Sequence, residues 1–300
     1  MSSAAFVTGG GGFAGGHLVA HLRQRGEEPA APPSSELDLR DSGAVRAAVR
    51  ELRPERVFHL AALASVGRSW EAPSETLRAN VEMTLNVLEA VRAEAANAAV
   101  LVVSSGEVYG APERLPVDEG APLRPRNPYA VSKAACDMLA AVYATGRGMH
   151  VVRSRAFNHA GPGQSDEYVL GTLARQVAEA EAAGRDEAVL RAGNLDSARD
   201  FTDVRDVVRA YALAVELEPG AYNVCSGRAV PVRGLVELLE RSTSLPVRVE
   251  VEEARRRSVD VPEVRGSAER LRAASGWQPQ VPLERTVADA LQWWRERVRR

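Results

Sequence analysis

Tyr129 and Lys133 stand four residues apart in the run Asn127-Pro128-Tyr129-Ala130-Val131-Ser132-Lys133. Asn before Pro reads as a helix start, with Asn127 as the cap and Pro128 at the first helical position. On such a helix the two side chains lie one turn apart on one face. An ammonium beside a phenol favours the phenolate, so the spacing predicts a tyrosine whose pKa falls and which can pass a proton near neutral pH. Of the 38 basic residues in the chain, Lys133 is the only lysine. A compact ammonium kept at one place in an arginine-rich chain points to a tight hydrogen-bond network that a guanidinium cannot enter. The plain alternative is a chance survivor on an ordinary helix surface.

Composition bounds the partners. Hydrophobic residues make up 45% and charged residues 26%, as in a globular protein. A net charge of −2 gives no reason to expect nucleic acid or an anionic membrane, so any anion site must be local. No basic segment precedes Ala4-Ala5-Phe6-Val7-Thr8, and no apolar run reaches the ~18 residues of a membrane span. Cys136 and Cys225 form no metal or disulfide pattern, which fits a cytoplasmic protein that holds no metal.

The elements that must position the pair follow in order. Residues 4–8 read as a buried strand, and Gly9, Gly12 and Gly15 then repeat at every third residue before a helix through Leu18, Val19 and Leu22. Strand, glycine loop and helix together predict a pyrophosphate cradle, with Gly9, Gly12, Phe13 and Gly15 against a dinucleotide. The next strand, Glu28 to Ser34, is short and proline-rich. It shows no acid for an adenosine 2′-hydroxyl and no clear Arg for a 2′-phosphate, so NAD and NADP both stay open. Asp38, with Leu39 beside it, can reach an adenine edge, and Asp41 reads as the cap of a helix over 42–52. The strand from Val57 ends in Leu60, Ala61 and Ala62, of which the two alanines are small enough to let a cofactor lie close to the backbone. His59 in that strand reads as packed rather than catalytic. A helix over 74–95 and a strand over 100–103 follow, the strand ending in Ser104-Ser105-Gly106-Glu107-Val108-Tyr109-Gly110.

Strands alternating with helices predict an α/β fold with a doubly wound parallel sheet, whose ligands sit at the strands' carboxyl ends. That places Ser105 and Glu107 in the crevice with Tyr129 and Lys133. After a helix over 128–145 and a strand over 150–156 the pattern changes. Helices over 167–183, 232–243 and 283–298 and strands near 188–191, 221–224 and 247–251 make a smaller, mixed half. The expected division is a dinucleotide unit over 1–157 and a substrate unit over 158–300, with some chain crossing back to the sheet. Trp293 and Trp294 read as helix packing and interface, and Arg255-Arg256-Arg257 as a solvated face with one member turned towards a phosphate.

With the glycine loop, Ser105, Tyr129 and Lys133 in place, the chain resembles the extended short-chain dehydrogenase/reductase family over nearly its whole length. The resemblance implies a Rossmann domain binding NAD or NADP and a C-terminal domain for a nucleotide-diphosphate sugar. It makes Tyr129 the acid/base at the sugar oxygen. Lys133 becomes the partner of the nicotinamide ribose, and Ser105 a second hydrogen bond to the same oxygen. Arg155-Ala156-Phe157-Asn158-His159-Ala160-Gly161-Pro162-Gly163-Gln164 is similar to a stretch of the members that process GDP-mannose, with Ala156 where Pro is usual. The runs from Arg199 to Asp206 and from Arg257 to Pro262 match their further signatures, so Asn158, Arg199 and Arg257 are expected at the sugar nucleotide's diphosphate. The implied activity is NAD(P)H-dependent reduction of the C4 keto group of GDP-4-keto-6-deoxy-D-mannose to GDP-D-rhamnose. A nucleotide-sugar 4-epimerase, or a GDP-mannose 4,6-dehydratase using Glu107 as base with tightly held NAD(P), is the alternative. A non-catalytic NAD(P)-sensing protein is more remote. The helices over 74–95 and 128–145 resemble the pair that builds a homodimer interface in this family.

Overall fold

The computed structural model describes residues 5–252 and 261–299. The first half runs β1 (Ala5–Thr8), α1 (Phe13–Gln24), α2 (Ser42–Leu52), β2 (Arg56–His59), α3 (Val66–Glu71), α4 (Pro73–Glu94), β3 (Ala99–Val103), a 3-10 turn (Gly106–Tyr109), α5 (Pro128–Arg147) and β4 (Val151–Ala156). The second half begins β5 (Asn158–Ala160), α6 (Val169–Ala182), β6 (Ala188–Ala192), β7 (Ala198–Asp203), α7 (Val204–Ala214) and β8 (Gly220–Val224). It ends β9 (Ala229–Pro231), α8 (Val232–Glu240), β10 (Val247–Val251), β11 (Glu263–Val264), α9 (Glu269–Ser275) and α10 (Leu283–Val298).

Five strands form a parallel sheet in the order β1-β2-β3-β4-β8. Their side chains are apolar on both faces because helices cover both. Val7, Val152 and Ala156 pack with Leu18, Leu22, Val204 and Tyr211 of α1 and α7 on one side. Phe6, Val100 and Val151 pack with Val49, Leu88 and Val91 of α2 and α4 on the other. The proline-rich second strand reduces to a single bridge, Ala30 beside Phe6, with Val7 N donating to Ala30 O and Ala30 N to Ala5 O. Pro29, Pro32 and Pro33 lack the N–H groups that would extend it.

The second half builds its own core from Leu170, Leu173, Leu190, Phe201, Leu235 and Leu291. Its strands pair as β10 with β6, and as β11-β7-β5 with β9 on β7. It also returns to the first sheet: β8 pairs in parallel with β4, and α7 packs on α1. Helix α7 was not singled out in the sequence, although Val204, Val207, Val208 and Tyr211 carry the helical apolar spacing and form its buried face.

Candidate active site

The chain turns sharply at the end of β1. Gly9 has φ 75°, and a Cβ there would stand 2.8 Å from Ala61 N. A Cβ on Gly15 would stand 2.0 Å from Gly9 O, so both glycines are dictated by close approach. Helix α1 follows, and Gly12 before it supplies no side-chain cap. The first-turn N–H groups therefore face the opening without a side-chain acceptor, which suits a diphosphate.

That opening is a cavity of ≈ 1000 Å³ along the carboxyl ends of the strands. It is lined by Gly9, Gly12, Phe13, Gly15, Asp38, Leu39, Leu60, Ala61 and Ala62, and further along by Ser105, Glu107, Tyr129, Lys133 and Asn158. Asp38 is gripped by Arg40, with Nε to Oδ1 at 2.9 Å and Nη2 to Oδ2 at 2.7 Å. Those bonds hold its carboxyl down at about 2, so it meets a ligand as a pure acceptor, as an adenine amino group requires. Arg40 also lines the cavity and was not singled out in the sequence.

Helix α5 carries Tyr129 and Lys133. Asn127 caps it, accepting from Ala130 N at 2.7 Å, and its amide donates to Glu107 Oε2 at 3.1 Å. One side chain thus fixes both the helix start and the carboxylate beside it. Ser105 Oγ accepts from Glu107 N at 3.2 Å, which shapes the 3-10 turn. Lys133 is buried and donates through Nζ to Val103 O at 2.6 Å.

The predicted fall in the Tyr129 pKa is corrected by this geometry. Burial pushes the phenol above its ordinary value, and an interaction with Ser105 pulls it back only in part. Lys133 spends a proton on the Val103 carbonyl, and its own pKa is lowered by burial. Tyr129 is therefore a protonated acid before any ligand adds its charges. Tyr168, just before α6, also lines the cavity and interacts with the phenol across it. It lies 39 residues along the chain from Tyr129, so no local spacing announces it.

His59 is packed, as expected. Its ring lies between Thr8 Oγ1 at 2.8 Å and Thr84 Oγ1 at 3.1 Å, and burial lowers its pKa to about 3. Arg199 does not line the cavity; Nη1 donates to Ala198 O at 2.9 Å and Val261 O at 2.7 Å. Arg257, with the rest of the Arg255-Arg256-Arg257 run, lies outside the described residues. Trp293 and Trp294 meet edge to face with centroids 5.0 Å apart, and Trp294 packs against the second core.

The acids of the Arg199–Asp206 run are scaffold. Asp200 accepts from Ser226 N and Oγ, Gly227 N and Gly266 N. Asp203 caps α7 and accepts from Thr286 Oγ1, while Asp206 accepts from Gln280 N and Val281 N. Each carboxylate is buried; Asp200 and Asp206 fasten distant backbone to β7 and α7, and Asp203 holds Arg205 and the Thr286 hydroxyl of α10. Phe13 stacks on His159 at 5.9 Å, and His17 Nε2 meets Pro162 O at 2.8 Å, so α1 and the turn after β5 are joined.

Comparison with known proteins gives a family. The model of the GDP-mannose 4,6 dehydratase family matches residues 33–290. GDP-6-deoxy-D-mannose reductase of Pseudomonas aeruginosa is 38% identical across 100% of this chain and 99% of its own. UDP-glucose 4-epimerase of Streptomyces lividans is 32% identical across 98% of this chain and 96% of its own. The solved structure of RMD from Pseudomonas aeruginosa complexed with NADPH superposes with a TM-score of 0.89 at 36% identity, covering 99% of each chain.

Proposed function

Since the chain belongs to the GDP-mannose 4,6-dehydratase family within the extended short-chain dehydrogenases/reductases, we propose that it is an NAD(P)H-dependent nucleotide-sugar reductase. Its reaction is reduction of the C4 keto group of GDP-4-keto-6-deoxy-D-mannose to GDP-D-rhamnose. The observation that carries this reading is 38% identity to a GDP-6-deoxy-D-mannose reductase along the full length of both chains.

The residues fit the cofactor and the direction. The uncapped start of α1 behind Gly9 and Gly15 holds a diphosphate, Asp38 and Leu39 take the adenine, and Leu60 to Ala62 form a low wall beside it. Bound NAD(P)H supplies the hydride. Tyr129 supplies the proton to the C4 oxygen, and its raised pKa keeps that proton in place at the start of a reduction. Ser105 hydrogen-bonds the same oxygen, and Lys133 turns from Val103 O to the nicotinamide ribose. Asn158 lines the cavity and is assigned to the sugar nucleotide's diphosphate, as is Arg257 on the family resemblance, whereas Arg199, held by the Ala198 and Val261 carbonyls outside the cavity, is not retained in that role. Residues 1–157 carry the cofactor end and 158–300 the sugar nucleotide, with α7 and β8 crossing back to the sheet.

The epimerase reading draws on the 32% match across nearly all of a UDP-glucose 4-epimerase. The dehydratase reading draws on Glu107, which lines the cavity and is held by Asn127. Incubation with GDP-mannose in the absence of NAD(P)H separates the latter. The reductase forms no 4-keto sugar there, and Glu107→Gln keeps most of its activity on the 4-keto substrate. Keto sugar that appears in the wild type and is lost in Glu107→Gln makes the enzyme a dehydratase.

A further inference from the structure

Behind the 3-10 turn that follows Ser105 and contains Glu107, one guanidinium is shared between two elements. Arg155 of β4 is buried, and so is Asp137, one turn beyond Lys133 in α5. The two meet as a fork, with Nε to Oδ2 and Nη2 to Oδ1 both at 2.9 Å. The third nitrogen, Nη1, donates to the Tyr109 hydroxyl at 3.0 Å and to Glu119 O at 3.1 Å. Tyr109 closes the turn that Ser105 caps. Burial pushes its phenol up to about 12, so the hydroxyl keeps its proton and donates to Asn223 Oδ1 at 2.7 Å. Asn223 Nδ2 in turn donates to Val117 O and Ser267 O.

The sense of donor and acceptor is thus fixed from Arg155 to the two carbonyls. A buried network satisfied in this way is rigid. Its neighbours Val108, Val117, Ala134, Phe157 and Cys225 form an apolar cluster with Tyr109. In such surroundings an ion pair is commonly no more stabilising than apolar side chains of the same volume, so fold stability does not account for it. Geometry does. Ser105 and Tyr129 must reach one oxygen, yet they stand on separate elements, the turn after β3 and the start of α5. A planar guanidinium can hold both elements in fixed directions at once.

We propose that Arg155 is a positioning residue for the reduction. Through Asp137 it sets α5, through Tyr109 it sets the turn, and so it fixes where Ser105 stands relative to Tyr129. Arg155, Asp137 and Tyr109 do not line the cavity, so they act through the residues that do. The assignment rests on the reductase reading above.

A double-substitution cycle separates this role from plain scaffolding. Tyr109→Phe removes the hydroxyl that joins Arg155 to the turn and leaves the Asp137 fork in place. kcat and KM are measured for GDP-4-keto-6-deoxy-D-mannose with NAD(P)H in wild type, Tyr109→Phe, Ser105→Ala and the double variant. The expected result is kcat lowered about ten-fold by Tyr109→Phe, KM within about two-fold, and a loss of no more than about two-fold when Ser105 is already Ala. A general loosening of the fold would lower both backgrounds alike. Equal losses in the two backgrounds, or no loss beside Ser105, overturn the assignment. NADPH binding by calorimetry shows that each variant is folded. If Tyr109→Phe fails that check, Arg155→Lys replaces it, since an ammonium keeps the charge at Asp137 but cannot fork to both elements. Its loss is expected to shrink by at least about three-fold in the Ser105→Ala background, and an unchanged loss overturns the assignment. Wild type that leaves NAD(P)H unoxidised in the presence of the keto sugar removes the reductase reading and this assignment together, whereas additive losses in an active enzyme remove this assignment alone.

Discussion

At the scale of the residue, burial outweighs charge. Tyr129 was read from its spacing as a phenol lowered by Lys133, but both side chains are buried and the desolvation of the phenolate wins. The result favours an enzyme that begins by giving a proton, since one that begins by oxidising an alcohol needs the base form. The same physics acts on His59, where it has a stability consequence. Its pKa is about 3 in the fold against 6.5 ordinarily. As pH falls through 6.5, the unfolded chain takes a proton that the folded chain refuses, so stability is lost progressively down to the folded value. The loss reaches about 1.4 kcal/mol per pH unit where the difference is one whole proton. Denaturant unfolding of wild type and His59→Gln between about pH 7 and pH 4 should give a shallower acid decline in the variant. Equal declines would mean that His59 is charged in the fold.

At the scale of the element, regular patterns were legible and long-range ones were not. Asn127-Pro128 marked the start of α5 because cap chemistry is local, and Asp41 marked α2 for the same reason, accepting from Gly43 N and Ala44 N. The glycine spacing found the cradle because the pattern itself is local, although the close approach that dictates Gly9 is to Ala61, far along the chain. Tyr168 and Tyr211 escaped notice because only the folded chain brings them to the cavity, whereas Arg40 stands beside Leu39 in the sequence and was passed over. Asp200, Asp203 and Asp206 lie in a run matched only as a family signature, and their scaffold role was not legible because a buried acid that collects backbone N–H groups looks the same in sequence as one that waits for a ligand. Helices α4 and α5 raise a further expectation. They pack on one another, yet they leave Leu77, Leu85, Val131, Met138 and Val142 exposed, the last two by 61% and 60%. An apolar face on paired helices suits a second copy of the same face, which supports the homodimer. Sedimentation at micromolar concentration should find a dimer, and the double variant Met138→Asp/Val142→Arg a folded monomer. A monomeric wild type would contradict it.

At the scale of the whole molecule, a chain of net charge −2 handles two anionic ligands through local devices. The start of α1 offers N–H groups, and Lys133 and Arg40 both line the cavity. Among the described residues no helix is long and apolar enough to cross a membrane, and no group of His, Cys, Asp and Glu could hold a metal. The rudimentary second strand has a functional side. Only Ala30 pairs, and the segment after it, Ala31-Pro32-Pro33-Ser34, offers no carboxylate to clamp an adenosine ribose. Fewer fixed contacts favour a cofactor that leaves after each turnover, as a reductase requires. An epimerase or dehydratase returns its hydride within one cycle and keeps its cofactor. The direct measurement is stoichiometry. Purified protein is given GDP-4-keto-6-deoxy-D-mannose and NAD(P)H, and nucleotide oxidised is counted against keto sugar consumed. The account predicts one for one, with little NAD(P) carried through purification. Conversion of the sugar without net oxidation of NAD(P)H, by protein that arrives with its cofactor bound, would contradict it.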